Sequence, residues 1–179
     1  MLKSLKYKLL IQQNKTRVYS YSFYLLKNRM DADDVTQEVF IKIWKNINDI
    51  KPGSATSWIM KTTHNLCIDY LRKRKMALNR ECEIDDQLEE EVRSIDRWSD
   101  PEVEIRKNLL KEKIKNAVEL LPEQLKSVFV MYELQGLNYK EISEILNIPM
   151  NSVKVYLLRA RKKLQEELKE HRHEKIESY

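Results

Sequence analysis

Residues 138–164 read N-Y-K-E-I-S-E-I-L-N-I-P-M-N-S-V-K-V-Y-L-L-R-A-R-K-K-L. Asn138 is a strong N-cap, and Glu141 follows at the spacing of a capping box. Ile142, Ile145 and Leu146 then share one face of a short helix. Asn147 tolerates the left-handed backbone that ends a helix sharply, and Ile148-Pro149 separates it from a second helix starting near Met150. In that second helix Val153, Leu157, Ala160 and Leu164 recur at helical spacing, while Lys154, Arg159, Arg161, Lys162 and Lys163 occupy the other faces. A short helix, a tight turn and a longer basic helix form a helix-turn-helix, with the second helix sized for a major groove. An ordinary helical hairpin has no need of that cationic cluster.

Upstream, Gln135-Gly136 ends a helix that restarts at Leu121-Pro122-Glu123 and runs to about Leu134. A preceding helix is expected from Pro101, capped by Ser99 or Asp100, to about Leu120, with Val103, Leu109, Ile114 and Val118 inward. Before it lies an acidic stretch, residues 77–100, with too little apolar surface to fold alone; it reads as a linker on which Trp98 can dock locally. The charge pattern supports the division. Residues 1–76 carry 15 basic and 6 acidic side chains, 77–104 carry 3 and 11, and 105–179 carry 15 and 11. Two basic blocks around an acidic connector suggest two modules that face nucleic acid.

The N-terminal block reads as three helices. The third, from about Ala55 to Lys75, places Trp58, Lys61, His64, Asn65 and Arg72 near helical spacing and ends in Arg72-Lys73-Arg74-Lys75. Aromatic, amide and cationic groups on one side suit single-stranded nucleic acid, since rings stack on bases and cations hold the backbone. The bland reading makes Trp58 a core residue and the basic run a favourable helix C-terminus. Lys51-Pro52-Gly53-Ser54 is a loop. The second helix spans Asp31 to Asn46, with Asp31 as its cap and Val35, Val39, Ile43 and Ile47 as its inward stripe. Its other face mixes Asp34, Gln37 and Glu38 with Ile41 and Trp44, and large apolar residues there point to a partner surface. Residues from about Leu2 to Asn28 form one helix or two abutting ones, with Leu5, Leu9, Val18, Phe23 and Leu26 apolar.

Only 2 Gly and 4 Pro in 179 residues argue against turn-rich β architectures. The expected fold is all-α: two small helical domains, 1–76 and 101–179, joined by the acidic linker 77–100, with the helix-turn-helix in the second. Cys67 and Cys82 form no disulfide scaffold. His64 and Cys67 lie three apart but lack a second pair, and His171 and His173 sit in a polar tail that is expected to fray, so no metal site is assigned. No nucleophile, paired-carboxylate or phosphate-loop motif appears, and no cofactor or enzyme activity is expected. Lysines interrupt the apolar N-terminus and no run reaches membrane length, so a cytoplasmic protein without membrane insertion is expected.

D-A-D-D-V-T-Q-E-V-F at 31–40 resembles the core-binding segment of bacterial RNA polymerase sigma factors. S-W-I-M-K-T-T-H-N-L-C-I-D-Y-L-R-K-R-K at 57–75 resembles their promoter-melting helix. L-L-P-E-Q at 120–124, with residues 136–149 and 153–164, resembles their C-terminal DNA-binding domain. The three matches stand in the family's order, and two domains in so short a chain is like the extracytoplasmic-function (ECF) subfamily.

The resemblance implies that Asp34, Gln37, Glu38, Ile41 and Trp44 grip the β′ clamp helices of core RNA polymerase. It implies that the Lys51–Ala55 loop, with Gly53 and Ser54, captures a flipped base of the minus-10 element. Trp58, Lys61, His64 and Asn65 would then face the opened strand, with Arg72 and Lys73 on phosphates. Asn151, Ser152, Lys154, Val155, Leu158 and Arg159, flanked by Arg161 and Lys162, match the surface that enters the minus-35 major groove. Core polymerase (β′ clamp helices and β flap), promoter DNA and an anti-sigma factor are the implied partners. The chain departs from the family pattern at Asn151-Ser152-Val153, where Gly-Thr-Val is frequent, and at Val155-Tyr156, where Ser-Arg is frequent. The main alternative is a helix-turn-helix regulator with an N-terminal sensing domain that never joins polymerase; an interaction protein using only the 31–47 face is a third.

Overall fold

A computed structural model describes residues 2–78 and 111–173, all helix, turn or loop. The acidic linker, Trp98, the Ser99–Pro101 cap, Val103, Leu109 and Cys82 lie outside the described residues. The first bundle contains α1 (Leu2–Leu26), α2 (Arg29–Lys45) and α3 (Ala55–Leu78). α1 is one continuous helix. Leu10, Asn14, Val18, Tyr21 and Leu25 are its buried residues at helical spacing, and Asn14 Nδ2 donates 2.9 Å to the Leu10 carbonyl. Leu5 and Leu9, expected as apolar contributors, lie on the adjacent face and stay exposed.

α2 starts earlier than its acids suggest. Asn28, not Asp31, is the cap: its Oδ1 accepts from the Asp31 amide at 3.0 Å, leaving Asp31 in the first turn, where the helix dipole favours an anion. Val35, Val39 and Ile43 are fully buried, and Ile47 continues the stripe from the turn beyond the helix. Lys6 reaches from α1 to this turn and donates to the carbonyls of Ile47 and Ile50 at 2.6 and 2.8 Å. A single 3₁₀ turn, Pro52–Ser54, occupies the expected loop and leads into α3, whose Ile59, Met60 and Cys67 complete the core. Each such large side chain, fully buried, contributes about 1.5–3 kcal/mol.

The second bundle contains α4 (residues 111–119), α5 (Glu123–Phe129), α6 (Tyr139–Leu146) and α7 (Met150–His173). Ala117, Val118 and Leu121 face inward, whereas Ile114 remains 39% exposed because it sits one turn upstream, past the core edge. The helix begun at Glu123 does not run uniformly to Leu134: Val130–Leu134 is a π-helical turn, closed by the Gln135 amide donating to the Val130 carbonyl. Gly136 then leaves with φ +68°, a backbone region that glycine enters without strain. α7 extends beyond Leu164 to His173, through part of the stretch expected to fray. The two bundles pack directly, α3 against α6 and α1 against α5 and the π turn, and their buried residues form one continuous cluster.

Candidate nucleic-acid and polymerase interface

The helix-turn-helix rests on local chemistry already visible in its residues. The Asn138 amide donates 2.8 Å to Glu141 Oε2, and the Glu141 amide donates 3.0 Å to Asn138 Oδ1, so both halves of the capping box form. Asn147 adopts φ 53°, ψ 46°, and Ser143 Oγ donates 2.6 Å to the Ile148 carbonyl, fixing the turn into α7. α7 buries Val153, Leu157, Ala160 and Leu164. That stripe turns Asn151, Lys154, Val155, Leu158, Arg159 and Lys162 to solvent, with Ser152 half-buried at the edge. Leu158 is 68% exposed and Val155, one turn before it, is 43% exposed, so the two form a small apolar patch among the cations.

A feature absent from the sequence reading flanks this surface. The rings of Tyr132 and Tyr139 stack at 4.9 Å and 12°. Arg161 lies over Tyr132 at 5.6 Å, and Lys154 lies over Tyr139 at 5.9 Å. The result is a ladder of cation, two rings and cation beside the exposed face of α7. Arg161 is also turned back onto Glu133, with Nη2 and Nε at 2.6 and 2.9 Å from Oε1. Arg161 is therefore anchored to the π turn, unlike Arg159. Tyr132 and Glu133 fall outside the helix-turn-helix pattern, and no spacing rule links them to Arg161, 28 or more residues away.

On α2, Asp34, Gln37, Ile41 and Trp44 are exposed together, and half-buried Glu38 pairs with Lys42 at 3.8 Å. Trp44 is partly framed by α1: Tyr7 meets its ring edge-on at 5.1 Å, and Lys3 lies over it at 4.9 Å.

The α3 residues divide. Lys51, Gly53 and Ser54 are exposed at its entry, and Lys61 and Asn65 are exposed along it. Trp58 is half-buried against the core. Arg72 pairs with Asp69 at 2.9 Å, and Lys73 lies over Tyr70 at 6.0 Å, both still exposed. His64 does not join Lys61 and Asn65. It turns inward, where Nδ1 lies 2.8 Å from the Tyr21 hydroxyl, and burial lowers its pKa to about 4. Burial raises the Cys67 thiol to about 12, which keeps it protonated and a poor metal ligand. Among the described residues no three His, Cys, Asp or Glu gather as metal ligands, and no helix is long and apolar enough to cross a membrane.

The profile of Sigma-70 region 2 matches residues 10–76, and that of Sigma-70 region 4 matches residues 111–164. The chain belongs to the sigma-70 family. The two matches fall within the α1–α3 and α4–α7 bundles. Within the family the chain is of the ECF type. The ECF RNA polymerase sigma factor SigW of Bacillus subtilis is 30% identical over 160 residues, covering 87% of this chain and 85% of SigW. ECF sigma factor SigE of Mycolicibacterium smegmatis is 28% identical over 170 residues, and the match spans 94% of this chain but 64% of SigE. The fold is similar to that of the sigma factor RpoE of Bartonella quintana, solved with the anti-sigma factor NepR (TM-score 0.74, 18% identity, covering 90% of this chain and 96% of RpoE).

Proposed function

We propose that this sigma-70 family chain is a dissociable initiation subunit that binds core RNA polymerase, directs it to promoters and helps open the DNA. It has no catalytic part in the reaction. One observation carries the reading: Ile41 and Trp44 stand exposed among Asp34 and Gln37 on a bundle whose neighbouring helix bears Lys61, Arg72 and Lys73. An acidic and apolar face suits a protein partner, and a cationic face suits nucleic acid, so one bundle bridges the two.

In this reading the α2 face, including Glu38, docks on the β′ clamp helices. Lys51, Gly53 and Ser54 receive a minus-10 base. Trp58, Lys61 and Asn65 hold the opened strand, with Arg72 and Lys73 on its phosphates. α7 enters the minus-35 major groove: Lys154 and Arg159 donate to base edges or phosphates, Val155 and Leu158 meet thymine methyls, and Asn151 and Ser152 contact the backbone near the helix start. Lys162 adds charge on the same side. Arg161, held by Glu133, acts by fixing the π turn against α7. The β flap is the second polymerase contact. An anti-sigma factor is the expected inhibitor, by analogy with the RpoE–NepR complex, and the cytoplasm is the expected compartment.

The test is transcription in vitro with purified core polymerase on templates carrying candidate promoters. Specific run-off transcripts that require the added chain support the reading. A chain that binds promoter duplex alone and never changes what polymerase transcribes would instead be a free-standing regulator.

A further inference from the structure

Lys154 and Arg161 lie about two turns apart on one side of α7, and each sits over a tyrosine ring. Lys154 Nζ is 5.9 Å from the Tyr139 ring and Arg161 is 5.6 Å from the Tyr132 ring. The two rings stack at 4.9 Å and 12°, so cation, ring, ring and cation form one row. The rings come from different elements. Tyr132 belongs to the π turn and Tyr139 is the first residue of α6. Both elements are fixed locally. Glu133, next to Tyr132, accepts from Arg161 Nη2 and Nε at 2.6 and 2.9 Å, and the Asn138–Glu141 capping box fixes the turn that carries Tyr139. The two cations differ in one respect. Arg161 is paired with a carboxylate, whereas no carboxylate pairs with Lys154 among the described residues. Lys154 stays exposed and rests on a ring alone.

We propose that Tyr139, backed by Tyr132, is a positioning residue for promoter binding: it holds the Lys154 ammonium toward the DNA backbone and away from the base edges. The inference rests on the reading of α7 as the helix that enters the minus-35 major groove. In a helix-turn-helix the first helix crosses the phosphate backbone while the second lies in the groove. Tyr139 opens that first helix, so a lysine drawn onto its ring is drawn to the phosphate side. The ring face attracts a cation without neutralising it, so Lys154 keeps its charge for phosphate, whereas Glu133 uses up that of Arg161. A free lysine loses rotamer entropy on binding, and one already resting on a ring has lost part of that freedom beforehand. The row thus anchors itself at Arg161 and presents Lys154 at its other end. Base reading is left to the neighbouring exposed stripe of Val155, Leu158 and Arg159.

The test is a double-mutant cycle with the full chain and core polymerase, on a fluorescent fragment of a promoter from which the wild type supports run-off transcription. Binding is read across a salt series. Lys154→Ala should weaken binding and lower the salt slope by about one. Tyr139→Leu should weaken binding by about two- to five-fold, the worth of an exposed cation–ring contact. In the Lys154→Ala background the same Tyr139→Leu change should have almost no effect. Tyr139→Phe, which keeps the ring, should recover what Tyr139→Leu loses. Across minus-35 variants Lys154→Ala should weaken binding uniformly, whereas Arg159→Ala should change the base preference.

If Tyr139→Leu loses helicity, a series of fluorinated phenylalanines at position 139 decides the matter. Fluorination keeps the shape of the ring and weakens its attraction for a cation, so binding should fall along the series only while Lys154 is present. Equal losses from Tyr139→Leu with and without Lys154 would make Tyr139 a structural residue and overturn the proposal. A Lys154→Ala effect confined to one base pair overturns the phosphate assignment. Failure of the function reading shows separately, as absence of transcription by the wild type with core polymerase.

Discussion

The Tyr21 hydroxyl and His64 Nδ1 lie 2.8 Å apart, joining α1 to α3 directly beneath the second bundle. Burial lowers the His64 pKa from 6.5 to about 4, so the folded chain disfavours imidazolium. The unfolded chain gains a proton as pH falls through about 6.5, while the folded chain does not. His64 therefore costs no stability above that pH and lowers it between about 6.5 and 4, by up to ~3 kcal/mol. Glu123, Gln124, Ser127 and Tyr156 line the adjoining cavity with it. Thermal melting of the wild type from pH 7.5 to 5 should show a progressive loss of stability, and His64→Gln should reduce that dependence. A pH-independent wild type contradicts this account.

Core binding should depend on the exposed α2 face. Gln37→Ala with Trp44→Ala should sharply reduce capture of core polymerase while circular dichroism stays native, because Gln37 is exposed and Trp44 is 43% exposed. Unchanged capture would remove α2 from the interface.

Arg159 and Arg161 should behave differently although they are two residues apart. Arg159 is exposed on α7, and Arg159→Ala should weaken promoter binding by the polymerase complex by ~1–3 kcal/mol if it reads a base. Arg161 is held by Glu133 and Tyr132, so Arg161→Ala should lower thermal stability and leave the salt dependence of binding nearly unchanged. Mobility shifts across a salt series, with melting curves of both variants, compare the two; a steep loss of salt dependence for Arg161→Ala would place that side chain on phosphate.

Trp58→Ala should leave initial binding nearly intact and reduce strand opening, because a half-buried ring at the head of α3 can stack on an unpaired base but cannot read a paired edge. Permanganate reactivity of promoter thymines measures opening directly. Normal reactivity in the variant would assign Trp58 to the core.

Asn138→Ala should destabilise the second bundle by ~1 kcal/mol, the usual worth of an N-cap. The loss should appear in urea unfolding, and Asn138→Asp should restore most of it. Equal stability of all three proteins would mean that packing of Ile142 and Ile145 alone defines the start of α6.

What was legible in the sequence was what neighbours along the chain decide. The Asn138–Glu141 box, the left-handed Asn147, the buried stripe of α7 and the buried stripe of α2 all depend on residues within two turns of one another, and periodicity reports them directly. Capping was less secure at α2: Asp31, the expected cap, lies inside the first turn, and Asn28 has the extended backbone from which a side chain can reach the third amide. The π turn at Val130–Leu134 left no signature, since one inserted residue shifts the register without changing composition. Tertiary packing alone decided the fate of three side chains at correct helical spacing. Ile114 stayed outside because the core ends one turn away, Arg161 turned back to Glu133, and His64 turned from its row-mates Lys61 and Asn65 toward Tyr21. Periodicity fixes which residues share a helix face. Which face is covered depends on helices distant in sequence, and the contact of α3 with α6 brings together surfaces whose proximity no local pattern encodes.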